Sequence, residues 1–185
     1  MAHVTTSELE EAVPGLRRSP PDAGTVELIA RRPAVEEREV LDEAELDPAE
    51  GLVGDCWRRR GSSATDDGSA HPDRQLTLMN ARLAALIAKT RDRWPLAGDQ
   101  LYVDLDLSSE NLPPGTRLKV GSATIEITDQ PHTGCGKFVK RFGVEALKFI
   151  NSPVGRRLNL RGVYARVVER GTVRTGDTIR RVGAR

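Results

Sequence analysis

The chain has 185 residues, with 28 Lys and Arg against 27 Asp and Glu and a formal net charge of +1. That length suits one domain able to bury roughly 70% of its unfolded surface. Its charges are interleaved, which leaves nonspecific nucleic-acid or membrane-surface binding without an electrostatic basis, and aromatic residues at 4% are too few for a platform that stacks single-stranded bases.

Residues 1–22 are polar and end in Ser19-Pro20-Pro21-Asp22. They read as a flexible N-terminal leader in which Leu9 to Val13 can form a short helical turn, and the folded domain is expected over 23–185. Thr25 to Ala30 and Val35 to Leu41 are strand candidates split by Pro33. Gly51-Leu52-Val53-Gly54-Asp55 reads as a tight corner, and the small polar residues between Gly61 and Asp73 as an exposed loop. Gln75 to Met79 predicts a strand that leads into a helix capped by Asn80, with Leu83, Leu86 and Ile87 at helical spacing before Trp94-Pro95. Leu101, Val103, Leu105 and Leu107 alternate with Tyr102, Asp104 and Asp106, which predicts a strand with one buried face. The acidic pair on that strand reads as a solvated face without catalysis. Arg117 to Val120 and Ser122 to Thr128 form a strand pair turning at Gly121. A helix is expected over Val144 to Ile150, stopped by Asn151-Ser152-Pro153. Gly162 to Glu169, Thr172-Val173 and Thr178 to Val182 complete the strands. The fold class is therefore mainly β with a few helices, built as a barrel-like single domain.

The segment Pro131-His132-Thr133-Gly134-Cys135-Gly136-Lys137 carries the chemistry. A thiol between two glycines has no bulky neighbours, and a following helix and Lys137 would favour its thiolate. Such a sulfur can ligate a soft metal, carry sulfur or act as a nucleophile; an inert loop cysteine is the alternative. His132 can take up the thiol proton. Glu110 and Asn111 follow the alternating strand and can orient a ligand by hydrogen bonds, or simply shape a turn. Arg58, Arg59 and Arg60 can grip a phosphate, and Lys137, Arg141, Arg156, Arg157 and Arg161 can contribute similarly. Cys56, His71, His132 and Cys135 match no compact zinc spacing. No Gly-rich phosphate loop, Ser–His–Asp order or HExxH run is present. Two cysteines make no disulfide scaffold, no run of about 18 apolar residues occurs, and no secretory signal opens the chain, so a cytoplasmic protein with reduced thiols is expected.

Taken in order, these segments resemble the MOSC domain, the module named from the C-terminal part of molybdenum cofactor sulfurases. The resemblance runs from about Gly24 to Val182. It rests on the Gly51–Asp55 corner, on Ser109-Glu110-Asn111-Leu112 in place of a GENL-like segment, and on Val120-Gly121-Ser122. The loop of Cys135 and the closing stretch from Gly162-Val163-Tyr164-Ala165 through Gly171, Val173 and Gly176-Asp177 complete it. It implies a barrel fold, the molybdenum cofactor (molybdopterin) as cofactor, and Cys135 as the residue that ligates metal or handles sulfur. A common family motif places proline before the cysteine; Gly134 stands there instead, which predicts a looser backbone. The resemblance also implies a possible activity, reduction of N-hydroxylated compounds with electrons from a donor protein. The alternative is a noncatalytic sulfur carrier or cofactor-binding module served by a separate cysteine desulfurase. Pyridoxal phosphate belongs to that partner or to the family association, since this chain has no room for such a domain.

Overall fold

The computed structural model describes residues 3–134 and 136–183. Their strands are β1 (Ala23–Arg31), β2 (Glu39–Leu41), β3 (Glu43–Asp47), β4 (Gly51–Leu52), β5 (Leu76–Asn80), β6 (Leu101–Asp104), β7 (Arg117–Val120), β8 (Ala123–Ile127), β9 (Val163–Glu169), β10 (Gly171–Arg174) and β11 (Thr178–Arg181). The helices are α1 (Thr6–Leu16), α2 (Trp57–Arg60), α3 (Ala81–Ala88), α4 (Gly136–Phe142), α5 (Val144–Asn151) and α6 (Pro153–Arg157), with 3-10 turns at Pro72–Arg74 and Arg91–Ala97.

Seven strands close into a mixed barrel in the order β11-β7-β8-β9-β5-β6-β1, because β1 pairs with β11 through Ala23 opposite Arg180. Closure removes the exposed edges that an open sheet would present. The β5–β6 ladder is parallel, so its connection must cross over the sheet, and α3 with the Arg91–Ala97 turn makes that crossing. Asn80 starts α3 as expected: its side chain accepts from the N–H groups of Arg82 and Leu83. A smaller sheet, β10-β3-β4, extends the structure.

Strand alternation divides the apolar residues between two cores. Val26, Ile29, Leu76, Leu78, Leu101, Val103 and Leu105 fill the barrel. Leu28, Ala30, Met79 and Tyr102 face the other way, into a helical layer with Leu9, Leu83, Ile87, Phe138, Phe142 and Ile150. The strand over Leu101 onward is thus buried on both faces: Tyr102 is fully covered and donates its hydroxyl to the Trp94 carbonyl at 2.6 Å. The expected single buried face fails because the crossover helices cover the outside of the barrel here.

The segment expected as a flexible leader is docked over its described part. Thr5 and Glu8 form a capping box for α1, and Val4, Leu9 and Leu16 are buried against the helical layer. Leu9, Val13 and Leu16 recur at helical spacing, which is what gives this polar stretch one apolar face. The strand expected over Val35 to Leu41 shortens to β2, and 33–38 forms a loop in which Glu36 adopts φ +67°. Among the described residues, no helix is long and apolar enough to cross a membrane.

Candidate functional site

At one end of the barrel, the exit of β1, the approach to β6 and the loop after β8 enclose a cavity of about 320 Å³ with α2, α4 and β9. Seven cations line it: Arg32, Arg38, Arg60, Arg74, Lys137, Arg141 and Arg161. Three carboxylates hold four of them. Asp55 takes Arg32 through both its oxygens, at 2.9 Å each from Nε and Nη2. Asp99, fully buried, takes Arg161 at 2.8 and 3.1 Å. Glu36 pairs with Lys137 and, at 2.6 Å, with Arg141. Arg38, Arg60 and Arg74 have no carboxylate partner among the described residues. The crowding of cations bears on Arg38, whose pKa is lowered by burial and then by the charges of Arg141 and Arg32.

His132 stands in the wall of this cavity, its ring tilted 43° against that of Tyr164 with centroids 4.5 Å apart. Burial, followed by the charges of Arg161, Arg32 and Arg74, holds its pKa well below the usual imidazole range, so the ring is neutral at pH 7. Its Nδ1 is sealed, without a hydrogen-bond partner, 3.9 Å from Asp99 Oδ1. A neutral imidazole at that distance makes no ion pair. Burial pushes the Asp99 carboxyl up, against the opposing pull of Arg161. Arg161 Nε is also buried without an acceptor, while its guanidinium lies 5.4 Å from the centroid of the Phe138 ring.

Two glycines allow this packing. At Gly162, φ is +106°, and a Cβ would strike the Leu78 carbonyl and crowd His132 Nδ1. At Gly134 a Cβ would run into Leu147 and Ile150 on α5. Gly134 therefore serves close approach rather than looseness, and a proline there would meet the same side chains.

Of the residues named from sequence, His132 and Lys137 line the cavity, as do Arg60, Arg141 and Arg161. Cys135 lies outside the described residues; Thr133 and Lys137, two positions to either side of it, both line the cavity. Lys137, expected to favour the thiolate, is engaged by Glu36. Arg58 and Arg59 do not line the cavity. Successive residues of a helix point about 100° apart, so a run of three cannot share one target. Arg59 instead donates to the Pro33 carbonyl at 2.7 Å. Glu110 and Asn111 are not brought to the site either. They follow the exit of β6, whereas the cavity uses Ala97 and Gly98 before its entry. Asn111 Nδ2 braces the chain by donating to the carbonyls of Pro21 and Asp106 at 2.8 Å, and exposed Glu110 meets Arg157 at 3.3 Å. Sequence reasoning missed Arg32, Arg38, Arg74, Asp99 and Tyr164. They are scattered along a chain with 28 basic residues, so no local signal marks them. Cys56, a buried thiol, also lines the cavity.

The fold has relatives of known structure. The YUAD protein from Bacillus subtilis aligns over 88% of this chain and 97% of its own, at 18% identity and a TM-score of 0.58. YiiM from Escherichia coli aligns over 87% of this chain and 71% of its own, at 19% identity and a TM-score of 0.55. YiiM from Geobacillus stearothermophilus reaches 0.51 at 12% identity over 88% and 73%. At these identities the likeness is one of fold. No curated protein matches the chain in sequence. The sequence model of the MOSC domain matches residues 65–180, a stretch that runs from before β5 into β11 and includes His132 and Lys137. With the closed mixed barrel, that match places this chain in the MOSC domain family.

Proposed function

We propose that this MOSC protein binds the molybdenum cofactor, a molybdopterin, in the basic cavity and acts on it through Cys135. The observation that carries the reading is the excess of positive charge: seven cations against three paired carboxylates around one cavity whose lining includes Thr133 and Lys137, two positions to either side of Cys135 in sequence. A phosphate-bearing ligand suits that lining, since guanidinium groups grip phosphate bidentately. A volume of about 320 Å³ falls within the range of about 300–1,000 Å³ typical of small-molecule sites. Among the described residues no group of three side chains could hold a bare metal ion. Under this reading the metal comes with the pterin's own sulfurs, and the protein would add the Cys135 thiolate.

When bound, the cofactor supplies a redox-active centre that accepts thiolate sulfur. The chain's own residues set the conditions. Arg38, Arg60 and Arg74 bind the phosphate. Neutral His132 offers Nε2 as a hydrogen-bond acceptor for the thiol, its Nδ1 being sealed toward Asp99. Asp99 and Arg161 fix the wall behind it. The reaction under this reading is reduction of N-hydroxylated compounds in the cytoplasm, with electrons from a separate donor protein. The alternative, sulfur carriage on Cys135 beside a cysteine desulfurase, uses the same loop without turnover.

Elemental analysis tests the reading on protein purified from cells that make the pterin cofactor. Molybdenum is expected with the wild type and lost in Arg38→Ala; a wild type without molybdenum overturns cofactor binding. Reduction of a hydroxylamine compound, abolished in Cys135→Ala, marks the enzyme. A gain of one sulfur atom on the Cys135 peptide after treatment with desulfurase and cysteine marks the carrier.

A further inference from the structure

Helix α4, the Arg91–Ala97 turn and the 33–38 loop border a groove of about 600 Å³. Arg93, Lys137, Lys140 and Arg141 line it, with His3, against a single carboxylate, that of Glu36. Glu36 pairs with Lys137 and Arg141, whereas Arg93 and Lys140 have no carboxylate partner among the described residues. The two guanidinium groups are braced by backbone: Arg93 Nη2 donates to the Arg141 carbonyl at 2.9 Å, and Arg141 Nη1 to the Leu96 carbonyl at 2.8 Å. Their positions are thus set before a ligand arrives, which lowers the ordering cost of binding. Glu36 shows which anion the groove favours. It is exposed, and Lys137 first, then Arg141 and Arg38, hold its carboxyl below the usual carboxylate range.

We infer that this groove is the docking site for an acidic segment of a partner protein, whose carboxylates pair with Arg93 and Lys140. One carboxylate of the chain's own is already accommodated there, and the remaining cations are matched by more of the same group. Complementary charge of this kind speeds and orients an encounter between proteins. Helix α4 begins at Gly136, so the partner sits on the helix that directly follows Cys135 in the chain. The inference rests on the proposed function, both forms of which call for a second protein at Cys135, and it adds where that protein binds and which charge it presents.

Fluorescence anisotropy with a labelled hexaglutamate peptide tests it on the full chain, at a salt concentration of about 20 mM where surface charges are little screened. Lys140 is exposed and does not line the basic cavity, so Lys140→Glu leaves the fold and that cavity intact. It is expected to weaken peptide binding at least about 5-fold. Arg180→Glu makes the same change of net charge at an exposed position outside the groove, and is expected to alter affinity by less than about 2-fold. Saturable binding with this difference between the two variants supports the groove. No binding, an equal loss in both variants, or a loss in Arg38→Ala without one in Lys140→Glu overturns it, as does a thymidine hexanucleotide that binds as tightly. Pyrophosphate binding without peptide binding removes the groove and leaves the basic cavity. Peptide binding by protein that carries no molybdenum removes the cofactor reading and leaves the groove.

Discussion

The outer wall of the barrel and the cavity at its end use the same residue type in opposite ways. Outside, a set of arginines is matched to carboxylates, Arg82 to Asp104 at 2.7 Å, Arg117 and Arg166 to Glu126 at 3.0 and 2.6 Å, and Arg170 to Glu45 and Asp47 at 2.9 and 2.7 Å, while others such as Arg58, Arg156 and Arg180 stand exposed without a carboxylate partner among the described residues. In the cavity, Arg38, Arg60 and Arg74 are left without carboxylate partners among the described residues, and burial, then the charges of Arg141 and Arg32, lowers the pKa of Arg38. A net charge of +1 therefore conceals a strongly uneven distribution. Paired surface charges contribute little and repel nothing; clustered ones store unfavourable energy that an anion relieves.

The largest effect should come from removing a carboxylate that the cavity does keep. Asp99→Ala leaves the guanidinium of Arg161 buried and unpaired, and denaturant unfolding should show a loss of about 3–5 kcal/mol. An effect below about 1 kcal/mol would mean that this pair is as dispensable as a surface one. Arg38→Ala comes next, and it acts on binding rather than folding. A charged hydrogen bond contributes about 1.5–3 kcal/mol, so pyrophosphate affinity measured by calorimetry should fall about 10-fold or more, with stability unchanged or raised.

The pH dependence of stability separates the two regions further. His132 has a pKa depressed by burial and by the cavity cations, so below the ordinary imidazole value near 6.5 the unfolded chain takes up a proton that the folded chain refuses. Its contribution is complete above that value and is lost as pH falls toward the depressed folded pKa. Thermal melts from pH 7 to 5 should show a decline that His132→Gln flattens; an unchanged slope would remove His132 as its source. Smaller still, Glu36→Gln should raise pyrophosphate affinity a few-fold, because Glu36 now occupies Lys137 and Arg141. A fall in affinity would show that Glu36 organises the site instead of competing for it. Least of all, Arg166→Ala on the outer wall should change stability by about 0–1 kcal/mol and leave anion binding untouched, read by the same two assays.

Much of the barrel is legible because local pattern and tertiary environment agree. Arg117 to Val120 and the run after Ser122 alternate and pair as β7 and β8, Asn80 caps α3, and the helix over Val144 onward ends at the residues that predict its end. The misses have specific causes. Glu43-Ala44-Glu45-Leu46-Asp47 is too acidic to stand out as a strand, yet Ala44 and Leu46 alternate and are buried in β3. Asp104, read as a solvated carboxylate, holds Arg82. Arg58 and Arg59 were suggested by adjacency in sequence, while helical geometry turns only Arg60 of that run into the cavity.

By itself the amino-acid sequence determined the fold class, the family resemblance, and the cysteine loop with His132 and Lys137 as the place to look. Those depend on periodicity, turn residues and motif order, which are local properties of the chain. Only the tertiary structure decided which cations cluster. Arg32 and Arg38 flank one loop while Arg60, Arg74 and Arg161 lie in three other stretches, and closing the barrel is what sets them around one cavity. Coulomb interactions depend on distance in space, and no spacing along the chain records it.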